Sequence, residues 1–139
     1  MRTGWTVLVV DDEPVIRELA GLELAAGGCT TYFAADGSEA FKVMESHSVD
    51  LALVDMLMPG KDGVETIVEI KKRWPGCKIL AMSGGGKLGT DQYLRLASMV
   101  GADDTVMKPF SLAHMMKLVD RMLLSRDSDP PQDRRPIVH

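Results

Sequence analysis

Five short apolar runs, separated by segments with helical spacing, constrain the fold of this chain more than any other feature. The runs are TVLVV (6–10), TTYFAA (30–35), LALVD (51–55), KILAMS (78–83) and TVM (105–107). Strands that alternate with helices are typical of a parallel sheet with helices on both faces. The first and third runs are almost entirely apolar, which indicates strands buried on both faces. We therefore predict a doubly wound α/β fold with five parallel strands in the order 2-1-3-4-5 and five helices.

The segments between the runs carry apolar residues at the spacing of one helix face. Pro14 suits a first helical turn, with Asp12 or Glu13 available as the N-cap, and Gly27-Gly28 and Gly101 suit left-handed helix ends. The residues expected to face the core are Ala40, Val43 and Met44; Val64, Ile67 and Val68; Tyr93, Leu96, Ala97 and Val100; and Leu112, Met115, Met116, Val119, Met122 and Leu123.

Length and composition limit the function classes. The 139 residues fit one domain, and a net charge of −4 without a basic stripe makes nucleic acid an unexpected direct partner. The N-terminal apolar run is too short for a signal peptide or a membrane span, and Cys29 and Cys77 follow no metal or redox spacing. We expect a cytoplasmic protein with an ordered domain over 1–124. Residues 125–139 are rich in charge and proline, which predicts a flexible tail or the start of a linker.

Polar residues follow four of the runs and should meet at one edge of the sheet. Asp11-Asp12 follow the first run, Asp55 ends the third, Ser83 ends the fourth and Lys108 follows the fifth. Clustered carboxylates repel one another and favour a bound cation, and oxygen ligands without His or Cys suit Mg²⁺ or Mn²⁺. The Lys108 ammonium would attract an anion to the same place. A phosphoryl group would satisfy both the metal ion and the lysine.

The segments VLVVDDEP, LALVDMLMPGKDGVE, AMSGG and MKPF, in this order, resemble the response-regulator receiver domains of two-component signalling. The resemblance covers residues 6–124 and implies a flavodoxin-like sheet and an aspartyl phosphate formed on Asp55. It also implies a metal site formed by Asp12 directly, Asp11 through water, Asp55, and the main-chain carbonyl of Leu57. The residues implied to contact the phosphoryl group are Ser83, Gly84, Lys108 and Met56, and Pro109 is expected to follow a cis peptide bond.

The resemblance implies a signalling module that is not an enzyme beyond its own phosphorylation and dephosphorylation. Its partners would be a sensor histidine kinase or a histidine phosphotransfer protein and a target protein, with a homodimer left open. Thr105 stands where such domains usually carry Tyr or Phe. We therefore expect the output to depend on the loop after Ser83 and on the fourth helix, with helix four, strand five and helix five as the candidate docking face.

Four alternatives stay open at the level of sequence. The chain could be the receiver part of a longer regulator, or a receiver-like scaffold that is no longer phosphorylated. A Mg²⁺-dependent phosphohydrolase would be expected to carry a D-x-D pattern after strand one and a cap insertion, whereas this chain has Asp11-Asp12. A flavin-binding carrier needs a phosphate loop rich in hydroxyl groups and glycine after strand one, where the acidic DDEP segment would repel phosphate.

Overall fold

The computed structural model describes residues 4–56, 63–84, 90–108 and 111–124, with the main chain alone at 84, 90–94 and 108. Five parallel strands form one sheet in the order β2-β1-β3-β4-β5, as predicted. The strands are β1 (Thr6–Val10), β2 (Thr30–Ala34), β3 (Leu51–Asp55), β4 (Lys78–Gly84) and β5 (Asp104–Lys108). The helices are α1 (Pro14–Ala26), α2 (Gly37–Ser46), α3 (Gly63–Arg73), α4 (Thr90–Val100) and α5 (Leu112–Leu124).

Two apolar cores lie on opposite faces of the sheet because successive strand side chains point to opposite faces. Val7 and Val9 pack with residues of α1 and α5, whereas Leu8 and Val10 pack with residues of α2, α3 and α4. All four of these side chains are fully buried. Burial on both faces explains why the first and third runs lack the alternating polar residues of a half-exposed strand.

Most of the predicted core positions on the helices are buried or partly buried, two were wrong, and the side chain of Tyr93 lies outside the described residues. Met115 and Met116 are buried in the core, as expected. Val68 and Leu96 are instead 44% and 38% exposed. The buried positions of α3 centre on Ile67, and the next residue lies about 100° further around the helix. Leu96 directly precedes the buried Ala97 of α4 and so also lies about 100° around the helix from it.

Several boundaries differ slightly from the predicted ones. The strand predicted to run to residue 35 ends at Ala34, since the Ala35 N–H donates to the Glu39 carboxylate. Glu13 is the N-cap residue of α1, but its side chain makes no capping hydrogen bond. The predicted left-handed glycines are confirmed at Gly28 (φ 96°) and Gly101 (φ 128°), whereas Gly27, the C-cap residue of α1, is right-handed (φ −83°). None of the helices, over the residues described, is long and apolar enough to cross a membrane.

Candidate functional site

Three aspartates meet at the carboxyl edge of the sheet. Carboxylate oxygens of Asp11, Asp12 and Asp55 all lie within 4.8 Å of one another. Asp11 directly follows β1, and Asp55 ends the neighbouring strand β3. Asp11 is fully buried and Asp55 is 4% exposed, while Asp12 is open to solvent. The cluster thus has a buried base and an accessible rim.

Asp11 is held on several sides by short hydrogen bonds. Its N–H donates to the carbonyl of Ala34 on β2 at 3.0 Å, which continues the sheet ladder beyond β1. Its carboxylate Oδ1 accepts the N–H of Glu13 at 2.9 Å. The guanidinium of Arg17, at the end of the first turn of α1, donates through Nη1 to the Asp11 main-chain carbonyl at 2.6 Å. The turn that carries Asp11 and Asp12 is therefore fixed to both β2 and α1.

Ser83 adds a hydroxyl that is unusual for a protein interior. It lies near the end of β4, the strand that pairs with β3, and it is fully buried. Its Oγ atom has no hydrogen-bond partner among the described residues. A buried polar atom without a partner costs about 1–3 kcal/mol, so such atoms are rare unless a ligand supplies the bond.

The main chain at the end of β3 is packed tightly against α3. The Met56 N–H donates to the Met82 carbonyl at 2.7 Å, and the Met56 carbonyl accepts the Gly63 N–H at 3.2 Å. A bond from the Met56 N–H to a phosphoryl oxygen would therefore have to share or replace the bond to Met82. The Met56 side chain is fully buried.

The remaining predicted site residues are described only in part. The main chains of Gly84 and Lys108 pair across β4 and β5, which places Lys108 at the same edge as the aspartates. Thr105 is half-buried and pairs with Ala81. The Lys108 side chain, Leu57 and Pro109 lie outside the described residues.

The chemistry of the cluster suits a hard divalent cation. Its side-chain donors are carboxylate oxygens, which Mg²⁺, Mn²⁺ and Ca²⁺ prefer to nitrogen or sulfur. Three like charges this close also repel one another unless a cation or protons neutralise them. The arrangement can thus hold a metal ion beside the Asp55 carboxylate.

Comparison with known families identifies the domain. The family model described as the response regulator receiver domain matches residues 7–120. The chain belongs to this family. The motif resemblance is thereby confirmed over residues 7–120, which form a receiver domain of the type found in two-component systems.

Solved structures of other receiver domains are similar in fold. The receiver domain of NtrX from Brucella abortus shares 31% sequence identity with a TM-score of 0.78, and the match covers 84% of this chain and 97% of that one. The response regulator TrrA from Thermotoga maritima, solved in complex with Mg²⁺ and BeF, shares 35% identity with a TM-score of 0.74, covering 85% and 98%. A longer NtrX chain from Brucella abortus, in complex with ADP, shares 31% identity with a TM-score of 0.78, and the match covers 86% of this chain and 27% of that one. This chain therefore spans about a quarter of that NtrX chain.

Proposed function

We propose that this receiver domain accepts a phosphoryl group on Asp55 and thereby changes its affinity for a target protein. The observation that carries the proposal is the meeting of the buried Asp55 carboxylate with Asp11 and Asp12, within 4.8 Å, at one edge of the sheet. The buried Ser83 hydroxyl without a partner among the described residues gives independent support, because a phosphoryl oxygen would accept its hydrogen bond.

The proposed donor is the phosphohistidine of a sensor kinase or of a histidine phosphotransfer protein. A carboxylate oxygen of Asp55 attacks phosphorus, the phosphorus–nitrogen bond breaks in line, and its electron pair stays on the imidazole nitrogen. Asp55 becomes an acyl phosphate, and the donor histidine is released neutral or takes a proton from water. The protein contributes mainly positioning and charge stabilisation in such a transfer.

Each neighbour of Asp55 has a part in this proposal. Asp11 and Asp12 would hold Mg²⁺, together with Asp55 and the Leu57 carbonyl. When bound, the ion would neutralise charge on the carboxylates and on the phosphoryl oxygens. Ser83 would donate a hydrogen bond to one phosphoryl oxygen, and Lys108 would offset the charge of another. The oxygen-only donor set and the Mg²⁺-containing complex of TrrA both support this assignment.

The surface formed by α4, β5 and α5 remains our candidate for target binding. Met99 on α4 is 81% exposed and Met107 on β5 is 49% exposed, and both elements pack against each other. Exposed methionines provide an adaptable apolar contact surface. Because Thr105 replaces the usual aromatic residue, we propose that the signal reaches this surface through α4 and the segment before it.

The decisive experiment is the intact mass of the protein after incubation with acetyl phosphate and Mg²⁺. The wild-type protein should gain one phosphoryl group, and Asp55→Asn should gain none. Asp50→Asn is the matched control, because Asp50 is 5% exposed and lies just before β3, at the opposite end of the strand from Asp55. An asparagine at 50 can still accept the Thr6 N–H that Asp50 accepts at 2.9 Å.

We expect Asp50→Asn to be phosphorylated like the wild type. If Asp55→Asn still gains the mass of a phosphoryl group, another residue is the acceptor. Absence of any gain with both acetyl phosphate and a phosphorylated histidine phosphotransfer protein would contradict the proposal and favour a scaffold that works without phosphorylation.

A further inference from the structure

The contact between Arg17 and the carbonyl of Asp11 has a consequence for cation binding. Arg17 Nη1 lies 2.6 Å from the Asp11 carbonyl oxygen, and the side chain is half-buried. The acceptor is a neutral main-chain atom, so this bond orients the chain without neutralising a carboxylate. We infer that Arg17 is a positioning residue that sets the cation affinity of the aspartate cluster. The inference rests on the proposed function, since it concerns the same site.

Arg17 reaches the Asp11 carbonyl just beyond the last bond between β1 and β2. The Asp11 N–H still pairs with Ala34, the last residue of β2. In the parallel register the next bond would join the Asp36 N–H to the Asp11 carbonyl, but Asp36 is the N-cap residue of α2 and not part of β2. Arg17 supplies a donor to this carbonyl at the point where the β2 ladder stops.

This carbonyl belongs to the peptide group that joins the two acidic residues. A peptide group is planar, so a bond that fixes the Asp11 carbonyl also fixes the plane containing the Asp12 nitrogen. The Glu13 N–H also holds the Asp11 carboxylate. Asp12 is exposed, and its main-chain nitrogen belongs to the peptide plane that Arg17 fixes. Arg17 thus restricts the direction from which the Asp12 carboxylate approaches the other two. Loss of a hydrogen bond that orients a metal ligand typically lowers metal affinity or activity by 10–100-fold.

A purely electrostatic role of Arg17 makes the opposite prediction. A positive charge close to the cluster repels a divalent cation, so its removal alone would strengthen cation binding. If Arg17 acts by positioning, its removal weakens binding despite the lost repulsion. The sign of the change in affinity therefore separates the two roles.

The test is a titration of the whole chain with Mn²⁺ alone, with free Mn²⁺ measured by electron paramagnetic resonance. The variants are Arg17→Met, which approximates the length of the side chain without a hydrogen-bond donor, and Arg17→Lys, which keeps the positive charge and a single donating nitrogen. Arg95→Met, on the exposed side of α4, is the control for loss of one arginine charge. Urea unfolding of each variant identifies conditions in which all of them are folded.

We expect the dissociation constant for Mn²⁺ to rise about 10-fold in Arg17→Met, to rise less in Arg17→Lys, and to stay near the wild-type value in Arg95→Met. Unchanged or tighter binding by folded Arg17→Met would overturn the inference while leaving the proposed function intact. Failure of the wild type itself to bind Mn²⁺ would overturn both this inference and the proposed metal site.

Discussion

At the scale of single residues, two glycines leave equally little room for a Cβ atom, but the atoms that such a Cβ would meet differ. A Cβ atom on Gly63 would lie 2.5 Å from the Asp55 carbonyl oxygen and closer still to the Met56 Cα. A Cβ on Gly21 would lie 2.5 Å from Cζ of Phe33. The first neighbour is main chain at the end of β3, whereas the second is the tip of a ring that is 43% exposed. Only the first contact is held rigidly by the sheet.

We therefore expect Gly63→Ala to lower the free energy of unfolding by roughly 2–3 kcal/mol, because α3 must move away from β3. Gly21→Ala should change it by less than about 1 kcal/mol, since the Phe33 ring can turn aside and alanine favours the helix. Urea denaturation of both variants tests this difference. Equal destabilisation by the two substitutions would contradict this expectation, because it would mean that the main chain at the end of β3 shifts as readily as the exposed Phe33 ring.

At the scale of elements, Arg73 links α2 to α3 at the surface. Its guanidinium carbon lies 4.3 Å from the centre of the Trp74 ring and 5.8 Å from that of Phe41 on α2. Its Nη2 atom also contacts a Glu45 carboxylate oxygen at 2.6 Å. Glu45 is 54% exposed, so solvent and salt weaken this ion pair more than the stacking on the rings.

The expected result is a loss of about 1–2 kcal/mol of unfolding free energy in Arg73→Ala and of about 0.5 kcal/mol or less in Glu45→Gln. Arg73→Lys should recover less than half of the loss, because an ammonium lacks the planar stacking surface. Unfolding at low and high NaCl concentration is the measurement. High salt should remove most of the effect of Glu45→Gln but leave most of the effect of Arg73→Ala, which also loses the stacking on the rings. A strong salt dependence of the Arg73→Ala effect would show that the ion pair, rather than the stacking, links the helices.

At the scale of the whole molecule, the aspartate cluster connects cation binding to stability. Asp55 joins the consecutive Asp11 and Asp12 only when β1 and β3 pair, so the unfolded chain lacks the repulsion between Asp55 and these two carboxylates and lacks the assembled site. A cation that binds the folded state alone stabilises it by about 1.4 kcal/mol at ten times its dissociation constant. The stability of this domain should therefore depend on Mg²⁺ concentration.

We expect Mg²⁺ at that concentration to raise the midpoint of thermal unfolding by about 4 °C over the value in EDTA. Asp12→Asn should raise the midpoint in EDTA, because it removes one of three repelling charges, and should abolish most of the increase with Mg²⁺. Calorimetry of both proteins in the two buffers checks this. An unchanged Mg²⁺ response in Asp12→Asn would exclude Asp12 from the metal site.

The sequence by itself determined the architecture of this protein. Buried strands and amphipathic helices are encoded by local periodicity, and alternation of the two leaves few ways to order a parallel sheet. Asp11 directly follows the first buried run and Asp55 ends the third. These positions were sufficient to predict that the two residues meet, because the carboxyl ends of parallel strands share one edge of the sheet.

Only the tertiary structure decided which contacts surround those residues. The bond from Arg17 to the Asp11 carbonyl depends on how α1 follows β1, and the close approach of Gly63 depends on the path of α3. The lack of a partner for Ser83 among the described residues and the exposure of Val68 depend in the same way on how the layers pack. Periodicity along a chain indicates which side of an element is apolar. It does not specify the distance or the angle to an element that is remote in sequence, and these set each hydrogen bond and each close contact.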